Sequence, residues 1–114
     1  MADNYQGMAI GIFEMDSLCA AYVALDAAAK AADVKIQSVE RNRLKSGACV
    51  KMRGRISDVN AAMEAAIAAG EKHGTVTSHH VIASAVISNP SGETIRLVEE
   101  SAVRNGFASA SEQA

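Results

Sequence analysis

The chain has 114 residues, 49% of them apolar but only 4% aromatic, and a formal net charge of -2 at neutral pH. That length suits one domain, and the near-balanced charge excludes the globally basic surface that nucleic acid or an anionic membrane would attract. Cys19 and Cys49 are isolated, forming neither a metal pair nor a disulfide framework, and they fit a reducing cytoplasm. No basic stretch followed by an apolar run opens the sequence, and no apolar segment approaches the ~20 residues of a membrane span. Much of the apolar content is alanine, which lets backbones pack closely but buries little area at roughly 25 cal/mol per Å². This is a mild argument for further burial by oligomerisation.

Gly7 to Glu14 is a short run with apolar or tiny residues on both parities, predicting a central strand covered on both faces, where Gly7 and Gly11 admit another backbone. Asp16 or Ser17 caps a helix to about Ala32, with Leu18, Tyr22, Leu25 and Ala29 as its buried stripe and Ala21, Ala28 and Ala32 widening it. Val34 to Glu40 alternates as a half-exposed strand, Val34, Ile36 and Ser38 against Lys35, Gln37 and Val39. A basic hairpin tip, Arg41-Asn42-Arg43-Leu44-Lys45-Ser46-Gly47, leads into a paired strand from Ala48 to Arg53, stopped by Gly54. A second helix starts near Ser57 or Asp58 and ends at Gly74, with Val59, Met63, Ile67 and Gly70 inward and Ala62 and Ala66 beside them. Thr75 to Ala83 reads as a fourth strand, Ser88 to Gly92 as a turn cluster, and Glu93 to Ser101 as a short third helix. The element order predicts an α+β, ferredoxin-like β-α-β-β-α-β domain with helices on one face of an antiparallel sheet, plus a short C-terminal helix. The domain spans residues 7–101, and residues 102–114 are expected to form a flexible tail.

Few residues suggest chemistry. His79 and His80 are adjacent in a predicted strand and point to opposite faces, so they cannot grip one metal together. His73 closes a helix and offsets its dipole. No spacing unites a nucleophile, a base and an orienting group, no glycine-rich turn precedes a helix, and Phe13 alone is too little aromatic surface for an RNA-reading sheet. The expectation is no enzyme, no cofactor and no metal. What remains is the tip. Arg41, Arg43 and Lys45 share parity, so in an extended hairpin they project to one side. In isolation such a tip is a solvated turn; with several copies converging it becomes an anion attractor. Lys30 alone is a surface lysine that favours the helix dipole.

Three stretches carry a family resemblance. Ala9-Ile10-Gly11-Ile12-Phe13-Glu14 resembles the first strand of the bacterial microcompartment shell domain. Leu25-Asp26-Ala27-Ala28-Ala29-Lys30-Ala31-Ala32-Asp33-Val34 is similar to that family's helix end, edge lysine and second-strand start. Val50-Lys51-Met52-Arg53-Gly54, the run from Val59 to Ala66, and His80-Val81-Ile82 resemble its third strand, second helix and fourth strand.

The resemblance implies a wedge-shaped subunit that closes into a cyclic homo-hexamer. Such hexamers tile with their neighbours and with other shell proteins around a cytoplasmic metabolic organelle, with a central pore for small metabolites. Lys30 takes the place of the lysine at the hexamer edge, and Arg41 to Gly47 that of the pore loop. The loop is longer and more basic than the family's usual Lys-Ile-Gly-Ser-Gly type. Six tips would bring about eighteen cations to one axis; each pair 10 Å apart in water interacts by only ~0.4 kcal/mol, yet the sum is a field of several kT that favours small anions. The sequence also departs from the family at Ala83-Ser84-Ala85, where a Pro-Arg-Pro lateral contact is usual. The rival reading is a small regulatory module of ferredoxin-like fold that binds a metabolite between subunits, and an enzyme of that topology is a more distant third.

Overall fold

The computed structural model describes residues 8–42, 47–72 and 81–106. The elements are β1 (Ala9–Met15), α1 (Leu18–Ala31), β2 (Lys35–Arg41), β3 (Ala48–Gly54), α2 (Ile56–Lys72), β4 (Val81–Ile87) and α3 (Gly92–Asn105). The strands form one antiparallel sheet in the order β2-β3-β1-β4, the split arrangement that β-α-β-β-α-β connectivity produces.

Register decides what each face carries. β1 and β3 pair Gly11 with Met52, Phe13 with Val50 and Met15 with Ala48. Phe13, Met15, Ala48, Val50 and Met52 are buried and share a cluster with residues of both long helices, Ala20, Ala21, Ala24 and Ala28 of α1 and Val59, Ala62, Met63 and Ala66 of α2. Gly11 lies under α2, where an added Cβ would come within 2.9 Å of Val59 Cγ1 and 3.0 Å of Met63 Sδ. The closely approaching groups are side chains of α2 and of the neighbouring strand rather than another backbone.

The helix stripe on α1 differs from the expected one. Tyr22 is 45% exposed and Ala29 is exposed, whereas Ala20, Ala21, Ala24 and Ala28 are buried and Leu18 and Leu25 flank the core in part. The alanine row turns inward because α1 packs against both α2 and the sheet, and only a small side chain fits at that separation. Ser17 caps the helix, its Oγ accepting the Ala20 N–H at 3.3 Å.

Two strand expectations are corrected. β2 does not alternate throughout: its register shifts between Ile36 and Ser38, so Ile36 and Val39 share the α1/α2 face while Ser38 and Glu40 turn to the other. β4 runs from Val81 to Ile87 rather than ending at Ala83, and it pairs with β1 from Met15↔Val81 to Ile10↔Ile87. Its small residues Ala83, Ser84 and Ala85 look like a fading signal in sequence, but each keeps its N–H for pairing, as proline could not. Residues 73–80, with His73, His79, His80 and the expected start of this strand, lie outside the described residues.

The third helix is longer than the sequence predicts. It begins after the Ser91 cap, whose Oγ accepts the Thr94 N–H at 3.1 Å, and it continues to Asn105. The expected tail is thereby corrected at its start: Ala102 is buried, and Gly106 bridges to Glu40 of β2. α3 lies on the sheet face opposite α1 and α2, since the sheet residues it meets, Glu40, Lys51 and Arg53, have the opposite parity to Val50 and Met52. No helix among the described residues is long and apolar enough to cross a membrane.

The two candidate stripes on α1 separate in thermal unfolding. Ala24→Leu overfills the helix–sheet gap and should cost about 1–3 kcal/mol, whereas Tyr22→Ala should cost under about 1 kcal/mol. The reverse ranking would return the core to the Tyr22 side.

Candidate pore hairpin

The basic tip grows from the β2–β3 hairpin, and its base is tightly built. Arg41, the last residue of β2, pairs with Ala48 and is exposed. Asn42 turns back onto β1: its Nδ2 donates to Glu14 Oε1 and to the Met15 carbonyl, both at 3.2 Å. Its N–H donates to the Gly47 carbonyl at 3.5 Å, closing the loop. Gly47 is buried beneath this clamp, and an added Cβ would fall 2.5 Å from the Met15 carbonyl oxygen. That contact is with backbone, so no side chain fits there. Arg43, Leu44, Lys45 and Ser46 lie outside the described residues. Of the expected pore residues, the structure therefore brings Asn42 and Gly47 together and leaves Arg41 free of the clamp.

One residue inward lies a polar centre that the sequence reading missed. Glu40 is buried on the α3 face, where Oε2 accepts from Ser38 Oγ at 2.6 Å and Lys51 Nζ at 2.8 Å. Its Oε1 accepts from Ser101 Oγ of α3 at 2.8 Å, and Lys51 also donates to Ser101 at 3.4 Å. Burial alone would raise the Glu40 pKa, but hydrogen bonds from Lys51, Ser38 and Ser101, together with the Lys51 charge, outweigh it and hold the carboxyl below its ordinary value. A second tie joins Arg53, almost fully buried, to Glu99 of α3 at 3.8 Å. Simple alternation hid this group, because it sets Ser38 and Glu40 on the same side as Ile36, whereas the shift at Gln37 parts them: Ser38 lies opposite Lys51 while Ile36 lies opposite Met52. Cys49 lies beside it, and burial is the main cause that pushes its thiol up to about 11, with Lys51 opposing and Glu14 and Glu40 adding. Such a thiol is unreactive at neutral pH.

Lys30 stands apart, in the last turn of α1, exposed and paired with Asp26 one turn earlier at 2.7 Å. No group of three or more His, Cys, Asp or Glu residues among those described could hold a metal.

The Glu40 centre makes α3 docking sensitive to acid. A carboxyl held below its unfolded value contributes stability that is complete above that value and lost as pH falls through the folded one. Hydrogen exchange of α3 should therefore accelerate as pH falls below about 4.3, after correction for intrinsic rates, while α1 and α2 stay protected. Lys51→Met, which leaves Glu40 buried without its cation, should destabilise by about 3 kcal/mol in chemical denaturation.

Residues 9–85 match the family described as the BMC domain. The chain is 38% identical over 77 residues to the carboxysome shell protein CcmK3 of Halothece sp. (strain PCC 7418), covering 66% of this chain and 74% of that protein. Among solved structures, a microcompartment protein from Desulfitobacterium hafniense DCB superposes with a TM-score of 0.59 over 82% of this chain at 18% identity, a likeness of fold. This chain covers 47% of that one, so it spans about half its length. The matched segment contains β1 through most of β4 and both sides of the clamped hairpin, and α3 lies beyond it. With 77 aligned residues and the expected fold in agreement, the chain belongs to the BMC-domain family of bacterial microcompartment shell proteins.

Proposed function

We propose that the chain is a tiling subunit of a bacterial microcompartment shell in the cytoplasm, closing into a homo-hexamer whose β2–β3 tips line a central pore for small anions. The observation that carries this reading is the rigid base of the hairpin. Asn42 fastens it to the end of β1 and Gly47 leaves no room for it to shift, with Arg41 exposed directly beside the clamp. A cationic tip held this way adds little in one copy, because isolated charges in water interact weakly. Six copies on one axis concentrate the field in a narrow mouth, attracting carboxylate or phosphate-bearing metabolites and repelling cations.

Lys30 supplies the lateral contact in this reading. Its stem can lie along a hexamer edge while the ammonium leaves Asp26 for carbonyl oxygens of the next hexamer. Neighbouring hexamers and other shell proteins are the partners, and no catalytic step is assigned. The chain has Ala83-Ser84-Ala85 within β4 where a Pro-Arg-Pro lock is usual, so the edge depends more heavily on Lys30.

Electron microscopy of the purified protein should show six-membered rings that extend into sheets or tubes; a stable dimer or trimer overturns the assignment. Lys30→Ala should abolish sheets while leaving single rings and keeping Tm within about 3 °C. Replacing Arg41, Arg43 and Lys45 by Gln should lower the anion-over-cation permeability of rings in planar bilayers by about tenfold. Unchanged selectivity would remove the tip from the gate.

A further inference from the structure

The outer side of α3 carries a charge sequence that is complementary to itself. At 100° per residue, Glu93, Arg96, Glu100 and Arg104 fall within about 80° of one another, in the order minus, plus, minus, plus along the helix. Leu97, 53% exposed, and Val103, 63% exposed, flank this stripe on either side. Within one chain Arg96 already bridges Glu93 and Glu100, each at 3.0 Å, and such solvated pairs contribute little. A groove of about 460 Å³ lined by Arg96, Glu99, Glu100, Val103 and Arg104 runs beside them.

We propose that this face pairs with the α3 of a second copy, antiparallel about a two-fold axis near Val98. In that arrangement Glu93 lies opposite Arg104 of the other copy and Arg96 opposite Glu100, so one axis satisfies all four charges twice. A parallel, in-register pairing would set each charge against its like. The same axis brings the two Leu97 side chains together, about 4 Å apart along the helix direction, and covers apolar surface that is open in the monomer. The helix docks on its own sheet through its other side, where Ser101 is bonded to Glu40, Ala102 is buried and Ile95 and Val98 are half-buried, so the Arg96 and Glu100 side stays exposed while it is docked. The contact is isologous, and it uses neither the hairpin residues nor Lys30.

A full-length chain with Cys19→Ser, Cys49→Ala and Leu97→Cys, which leaves the introduced thiol as the single cysteine, tests this. At low ionic strength under mild oxidant, a disulfide-linked dimer should form at least about tenfold faster than with a control cysteine at exposed Ser57 on α2. Adding Arg96→Glu or, separately, Arg104→Glu should return the rate to the control value. Arg96→Glu combined with Glu100→Arg, which restores the cross-copy pair with signs exchanged, should recover most of it. Circular dichroism should show the same helix content in every variant. Cross-linking no faster than the control, indifference to the single reversals, or no recovery in the exchanged pair overturns the proposal. So does cross-linking that requires a different shell protein, which would make α3 a surface for another partner. Because dimers are read chain by chain, the result is independent of whether hexamers form.

Discussion

A single buried carboxylate joins three parts of this domain that otherwise have little in common. Glu40 is hydrogen-bonded within β2 through Ser38, across to β3 through Lys51, and to α3 through Ser101, while its backbone bridges to Gly106. A charge so placed is costly unless it is well bonded, and here three hydrogen bonds meet the carboxylate, one of them from the Lys51 ammonium. Its position explains why the helix beyond the matched family segment has a defined place, and why the strand leading to the tip is fixed just before the chain turns. Asn42, two residues on, fixes it again from the β1 side.

Alanine shapes the opposite face. With Ala20, Ala21, Ala24 and Ala28 turned inward, α1 lies close to α2 and to the sheet, and the core is tight but thin. Such a core reaches packing density through backbone proximity rather than through large side chains. The consequence for assembly is direct. Tyr22, Ile56, Ile82 and Val86 remain substantially exposed, and partners in a larger assembly are the natural means of covering them. The polar groups proposed to act in assembly, Lys30 at the end of α1 and Arg41 at the end of β2, are exposed and sit at element ends.

Legibility in the sequence followed the strength of the local signal. β1 and β3 were readable because both are bounded by polar or glycine residues and show consistent parity, and α2 because Val59, Met63 and Gly70 keep helical spacing with large side chains among the alanines. In α1 nearly every turn offers both an alanine and a larger apolar residue, so periodicity could not choose the buried side. The β2 bulge at Gln37 has no signature in the residues themselves; it appears only when Ile36 and Ser38 are set against Met52 and Lys51. That one inserted residue parts Ile36 from the face of Ser38 and Glu40, which alternation alone would have kept together.

By itself the sequence determined the element order, the antiparallel split-βαβ class, the basic hairpin tip and the family resemblance that its strand and helix motifs carry. These depend on spacings of two to four residues along the chain, where backbone geometry leaves few alternatives. Tertiary structure alone decided which side of α1 is buried, that β4 continues through Ile87, that Asn42 and Gly47 clamp the hairpin to Met15, and that Glu40 anchors α3. Each of those outcomes sets residues far apart in sequence against one another, and the winner is the arrangement that leaves no buried charge unpaired and no helix held off the sheet by a side chain too large for the gap.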